Sequence, residues 1–266
     1  MDNFGIIKGD NVPHGLFGAT MTWILEILPF LKKKCLYPNW DINTQLYGKI
    51  IPGIINPKRV NTESKTIESL MTLKKLFAHE YTENECSLAN ELFFEYFDIS
   101  PEILYTVALY EKKLIGKTLG IHFRGTDKIK SDEADYISKD MVINNIFNYL
   151  KSNTTYTTIL IISDESEFID KMLDIFSNKD YNIVCTNAKK SFDSNYPIHY
   201  QANCNIEFAK EAMVDSLILS KCDYVIKTSS CLSDWIKIWN PTIEVYNLNK
   251  FNYNWFPQSI IPVKSY

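Results

Sequence analysis

Residues 119–136 read LGIHFRGTDKIKSDEADY, and the fold turns on how this stretch is understood. Leu119 to Phe123 form the short apolar run that a strand buried on both faces presents. His122 sits near its end, and beyond it come Arg124, Asp127, Lys128, Asp132, Glu133 and Asp135, so charge is concentrated where the run stops. In a parallel sheet that place is the ligand crevice outside the carboxyl ends of the strands. Two other stretches repeat the arrangement: ILIISDESE (159–167) ends in Ser163, Asp164 and Glu165, and DYVIKTSSCLSDW (223–235) ends in Thr228, Ser229 and Ser230.

Working outward, strand-like runs at TLGIHF, TTILIIS, YNIVCTN, DYVIKTS and IEVYNL alternate with helical patterns at about 139–151, at SEFIDKMLDIF, at IEFAKEAMVDSLILSKC and over 233–239. That alternation predicts βαβ units and an α/β fold with a parallel sheet. Before it, GLFGATMTWILEILPFLKK spaces Met21, Ile24, Leu25 and Leu28 for one face of a helix, with Gly15 and Gly18 at its start and no convincing strand ahead of it. CLYPNWDI is broken by Pro38 and reads as a strand end or turn, and the Pro- and Gly-rich stretch from Tyr47 to Val60 reads as loop. Residues 63–97 look helical with a break near 81–84, and Ser100 followed by Pro101 marks a further helix start. A boundary near 113–118 divides the chain into an N-terminal lobe (1–115) and a C-terminal lobe (116–266).

Composition narrows the function classes. The formal net charge of −4 gives no global basic field, so nucleic acid is not an expected partner, and any phosphate must be held by a local site. The six cysteines are scattered without a C-x-x-C pair, which reads as reduced thiols rather than a zinc site. No signal-peptide pattern opens the chain and no transmembrane segment is evident, so the expected location is cytoplasmic, with membrane association at most peripheral. P-loop, G-x-G-x-x-G, G-x-S-x-G and H-E-x-x-H motifs are all lacking, and no D-x-D supplies the usual carboxylate pair for a metal on a pyrophosphate.

Arg124 has the planar fork suited to a phosphate, and His122, two residues earlier on a strand, shares its face. The hydroxyl-rich turn at Thr228 to Ser230 precedes a helix and offers backbone N–H groups to an anion, although simple N-capping by Ser230 and Ser233 is the better explanation of that segment taken alone. GIHFRGTDK, IISDE and EAMVDSLILSKCDYVIKTSSCLS, in this order and spacing, resemble the fucosyltransferase superfamily of α1,6-, nodulation, α1,2- and protein O-fucosyltransferases over roughly residues 115–240. The resemblance implies a GT-B-like architecture of two Rossmann-type lobes, with the nucleotide-sugar site in the C-terminal lobe. It implies GDP-fucose as donor substrate without metal or cofactor, and an oligosaccharide or glycolipid acceptor. On that mapping His122 and Arg124 form the H-x-R motif with Arg124 on the β-phosphate, Asp215 meets the guanine edge, Asp164 lies near the nucleotide, and Thr228, Ser229 and Ser230 contact the pyrophosphate.

Two departures stand out. Gly125 takes the place of a second arginine in the α1,6 motif H-x-R-R-T-D-K, which removes one donor contact. The acidic residue that would act as base falls on Asp132 by simple counting, on Glu133 with a one-residue gap, and Asp135 is a third candidate. Readings that stay open are a transferase of the same fold with another nucleotide sugar, a non-catalytic nucleotide-sugar-binding module, and a structural protein whose strand-end charges are ion pairs. The 185–206 loop, with Lys189, Lys190, Tyr196 and His199, suits a lid over the ligand and equally an ordinary surface loop.

Overall fold

The glycine turn at residues 15–18 joins a strand to a helix. The computed structural model describes residues 6–12, 15–60, 66–67, 82–126, 133–192, 196–198, 204–252 and 260–263. Strand β1 (Ile6–Val12) runs into a π-helical turn (Leu16–Met21), helix α1 (Thr22–Lys33) and strand β2 (Asn39–Thr44), which lies parallel to β1. This is a βαβ unit, so the absence of a strand before Gly15 is corrected. Lys8, Gly9, Asp10 and Asn11 give β1 the composition of a turn, and parallel pairing with β2 overrides that local preference.

The stretch expected to be loop holds β3 (Gly48–Ile51), antiparallel to β2, and β4 (Ile55–Pro57). Burial of Ile50, Ile51, Ile54 and Ile55 drives this, since their apolar side chains go inside between the turn residues. Thr66–Ile67 forms β5 beside β1 rather than helix, and residues 68–81 of the expected helix lie outside the described residues. Helix α2 (Glu83–Tyr96) begins at a Thr82/Glu85 capping box. Strand β6 (Phe97–Ile99) pairs with β4, and α3 (Pro101–Glu111) follows with Pro101 at its first turn and no capping bond from the Ser100 hydroxyl.

Then comes the alternating half: β7 (Thr118–Phe123), α4 (Lys139–Ser152), β8 (Thr158–Ser163), α5 (Ser166–Phe176), β9 (Asn182–Cys185), α6 (Ile206–Leu219), β10 (Tyr224–Lys227), α7 (Cys231–Asp234), α8 (Ile236–Trp239) and β11 (Glu244–Asn247). The helix expected over 233–239 is two four-residue pieces meeting at Trp235. The five strands are all parallel in the order β11-β10-β7-β8-β9. The chain lays β8 and β9 on one side of β7, then returns to place β10 and β11 on the other. That reversal makes the gap between the carboxyl ends of β7 and β10 the topological switch point, where open α/β sheets bind ligands.

Every residue of β7, β8 and β10 is buried. One face, including Leu119, Ile121, Ile161 and Ile226, packs on α4 and α5. The other, including Leu160, Ile162 and Val225, packs on α6 and belongs to an apolar cluster that also contains Trp40, Phe93 and Phe97 of the first half. Phe93 lies 6.0 Å from Trp235 and 5.1 Å from Trp239, and Trp235 Nε1 donates to Thr22 Oγ1 at 3.3 Å. The hydrophobic core therefore runs continuously across residues 115–116.

Candidate functional site

The residues after β7 are gathered by one carboxylate. Asp164, just past β8, accepts from the Gly125 N–H at 2.9 Å and the Thr126 hydroxyl at 2.5 Å, and Arg124 Nη1 lies 3.3 Å away. Neighbouring strand ends explain this, because β7 and β8 pair in register as far as Phe123 and Ser163. Arg124 is 12 % exposed, so it reaches the surface of the crevice while its counter-charge stays inside. Its own N–H donates to Thr228 Oγ1 at 2.8 Å, which ties the end of β7 to the turn after β10.

His122 is buried beside Lys227, its register partner on β10. Burial, and then the Lys227 and Arg124 charges, push its pKa down to about 3 against the opposing pull of Asp164, so the ring is neutral at physiological pH. Its Nδ1 has no hydrogen-bond partner among the described residues.

Gly125 has a packing reason. A Cβ there would collide with the Glu165 carboxylate and come within 2.7 Å of the Phe123 ring. Glu165 is buried and paired with Lys139 at 2.7 Å, and burial raises its pKa while the Lys139 hydrogen bond opposes the rise. The position of the second arginine in the α1,6 motif is thus closed by a carboxylate of the chain itself.

The turn after β10 spends most of its hydroxyls internally. Ser229 Oγ donates to Asn249 O at 3.0 Å and accepts from Asn247 Nδ2 at 2.9 Å, while Thr228 Oγ1 is occupied by Arg124. Ser230 is buried but makes no side-chain cap on α7, so N-capping does not account for it. Of the base candidates, Asp132 lies outside the described residues, as do Asp127 and Lys128. Glu133 and Asp135 are pinned beside the segment after β11: Asn252 N donates to Glu133 O and Asp135 N to Lys250 O, each at 2.8 Å.

Asp215 sits elsewhere along the same edge. It is 6 % exposed on α6 and lines a cavity of about 170 Å³ with Thr106, Tyr110, Thr186, Asn187 and Ala188. Burial raises its pKa to about 7, against the lowering by a Thr186 hydrogen bond and the Lys190 charge. Its Oδ1 has no partner among the described residues. Tyr110 OH accepts from Asn187 N at 2.8 Å, fixing the wall opposite. The segment continues to Ser191, whose N–H donates to Asp164 O at 2.8 Å, so cavity wall and arginine loop are joined. The lysines expected on a lid serve that segment: Lys190 Nζ donates to Thr186 O and Ala188 O, and Lys189 N to Glu211. Ser191 Oγ donates to Tyr196 O, and His199 lies outside the described residues.

On the other side, Gly18 of the π-helical turn comes against Cys231, with an added Cβ 3.3 Å from its Sγ. The glycine turn of the first half therefore abuts the turn after β10. Sequence reading overlooked Lys227, Asp234, Asn247 and Asn249. A lysine closing the apolar run YVIK and the alternating asparagines of YNLN were the available signals. Among the described residues no group of three or more His, Cys, Asp or Glu could hold a metal ion, and no helix is long and apolar enough to cross a membrane.

No family model matches the sequence, and no curated protein matches it either. Solved structures do match in fold. The α1,6-fucosyltransferase NodZ soaked with GDP-fucose superposes with a TM-score of 0.56 at 12% identity, covering 94% of this chain and 99% of that one. NodZ from Bradyrhizobium in selenomethionine form gives 0.57 at 12% identity, covering 92% and 95%. POFUT1 in complex with GDP-fucose gives 0.54 at 10% identity, covering 90% and 94%. The chain is a mixed α/β protein with a parallel five-stranded sheet, and it shares its fold with these fucosyltransferases.

Proposed function

We propose that the protein is a glycosyltransferase that moves fucose from GDP-fucose to a glycan hydroxyl, inverting the anomeric centre without a metal ion. The observation that carries this reading is the buried Asp215 carboxylate, whose Oδ1 has no partner among the described residues, on a residue that lines a cavity on the strand edge that also bears Arg124. An acceptor-only group in such a place suits the paired N–H donors of a guanine edge. Solved neighbours of this fold hold GDP or GDP-fucose, which supports the same donor here.

In this reading residues 1–115 form the acceptor-side lobe and residues 116–266 the donor lobe of a GT-B-like enzyme. The acceptor oxygen attacks the anomeric carbon, the bond from that carbon to the diphosphate oxygen breaks, and the acceptor proton passes to a carboxylate of the loop holding Asp132, Glu133 and Asp135. Arg124 meets the charge that accumulates on the departing β-phosphate, with Ser230 beside it and Thr228, Ser229 and Asp164 holding the loops in place. His122, neutral and buried, supplies shape rather than charge. A second reading, the same transfer with another nucleotide sugar, is favoured by the Glu165 carboxylate that closes the Gly125 position.

The test is thermal unfolding with GDP, UDP or ADP in EDTA, on wild type and Arg124→Ala. A ligand at about 100 times its dissociation constant adds ~2.7 kcal/mol, a shift of several degrees. Stabilisation by GDP alone, lost in the variant, is the expected result. Stabilisation by UDP instead overturns the donor, and none by any nucleotide overturns the site.

A further inference from the structure

Lys227 and Asp234 are both fully buried, and Lys227 Nζ lies 2.6 Å from Asp234 Oδ1. A lysine on a central strand goes inside only when paired, and a buried ion pair of this kind adds little net stability compared with apolar residues of the same volume. The placement of this pair gives it another use. Lys227 ends β10 and Asp234 ends α7, so the bond closes the chain around Thr228, Ser229 and Ser230. Within that closure Ser230 O accepts from the Asp234 N–H at 3.0 Å, and the Thr228 N–H donates to His122 O at 3.0 Å.

The bracket also reaches across the switch point. Lys227 faces His122 in register, and Thr228 Oγ1 accepts from the Arg124 N–H two residues further on. Whatever fixes the 228–230 turn therefore fixes the backbone from which the arginine projects. The far side of that turn is tied separately, through Ser229 to Asn247 and Asn249.

We propose that Lys227 and Asp234 are positioning residues, an internal clamp that sets the 228–230 turn and through it Arg124 for a diphosphate. This deepens the proposed function and rests on that reading. Neither side chain touches the ligand. Neither side chain lines the Asp215 cavity, which is built from α3, α6 and the segment after β9, and the bracket meets α6 through Ser216 Oγ, which donates to Leu232 O at 2.8 Å.

The experiment compares binding of GDP and guanosine to wild type and to Lys227→Met/Asp234→Leu, with melting temperatures alongside. Guanosine reads the base cavity alone, and the ratio of the two affinities reads the diphosphate. The expected result is a double variant that melts within a few degrees of wild type and binds guanosine unchanged, while the GDP-to-guanosine ratio falls ~10-fold or more from misplacement of the arginine. An unchanged ratio in a folded variant overturns the clamp and leaves the proposed function standing. A wild type with no preference for GDP over guanosine overturns the proposed function and the clamp with it. Should the double variant not fold, Asp234→Asn carries the same comparison, because it removes one charge while keeping the side chain's shape.

Discussion

The two polar regions on the carboxyl edge of the parallel sheet are built in opposite ways. Around Arg124 the hydrogen-bonding groups close on one another: Asp164 holds three successive residues, Thr228 takes the arginine's N–H, and Ser229 is fixed by two asparagines. Around Asp215 the carboxylate is buried at the wall of a cavity, and its Oδ1 has no hydrogen-bond partner among the described residues. The first is preorganised, so its dipoles and charge need little rearrangement when charge develops in front of them. The second bears a desolvation cost that a ligand with matching donors would relieve.

That contrast can be broken most severely at Arg124. Replacing it with alanine is expected to lower transfer ~10³-fold or more with little change in melting temperature, a loss of the size seen when charge stabilisation at a leaving group is removed. Single-turnover kinetics with GDP-fucose checks it, and an active variant would separate the preorganised region from the chemistry.

Asp215→Asn sharpens the other half. The folded carboxyl keeps its proton up to about pH 7, whereas 3.8 is its ordinary value. The folded state therefore binds more protons between those values, and wild-type stability falls as pH rises through that window. A displacement from 3.8 to about 7 corresponds to ~4 kcal/mol at most. The asparagine variant is expected to lose that slope and melt higher than wild type at pH 8, with the advantage vanishing by pH 4. Binding should move the opposite way. If Asp215 accepts from the guanine as proposed, GDP needs the ionised carboxylate, so wild-type affinity is expected to drop ~10-fold per pH unit below 7, while the variant binds weakly and without that dependence. Calorimetric titrations at pH 6, 7 and 8 would decide.

A smaller effect is expected from Gly125→Arg, which restores the motif of the α1,6 enzymes and collides with Glu165. Overpacking there should cost ~1–3 kcal/mol by chemical denaturation. Gly125→Arg with Glu165→Ala should recover part of the loss, and full stability in the single variant would show that Glu165 can be displaced. Smallest of all is Thr228→Val, which leaves the Arg124 N–H without its acceptor at an expected cost of ~1 kcal/mol and a few-fold loss of GDP affinity.

Much of this was legible in the chain. Strands β7, β8 and β10 are apolar runs with abrupt polar ends, and the side chains at those ends, Arg124, Asp164 and Thr228, do meet at one place. Asp215 was legible only through its neighbours in the block EAMVDSLILSKCD, since on periodicity alone it reads as a surface carboxylate of α6. What escaped depends on partners remote in sequence. Strand β1 looks like a turn until β2 is beside it. Glu165 reads as the second acid of a polar loop, and only the fold shows it buried against Gly125. Lys227 and Asp234 look like ordinary charges seven residues apart, and only the fold shows them buried against each other.

The aromatic seam has a consequence for how the chain is made. Thr22 and Trp235 are bonded across 213 residues, and Phe93 reaches its tryptophan neighbours Trp235 and Trp239 over a shorter but still long separation. An emerging first half cannot bury these faces while the ribosome is still adding the rest. The tryptophan-facing side of Phe93 is expected to stay uncovered until residues 235–239 have left the exit tunnel, which favours late completion of this part of the core. A nascent chain stalled before residue 231 should accordingly be held by chaperones, and one stalled well past the seam released from them.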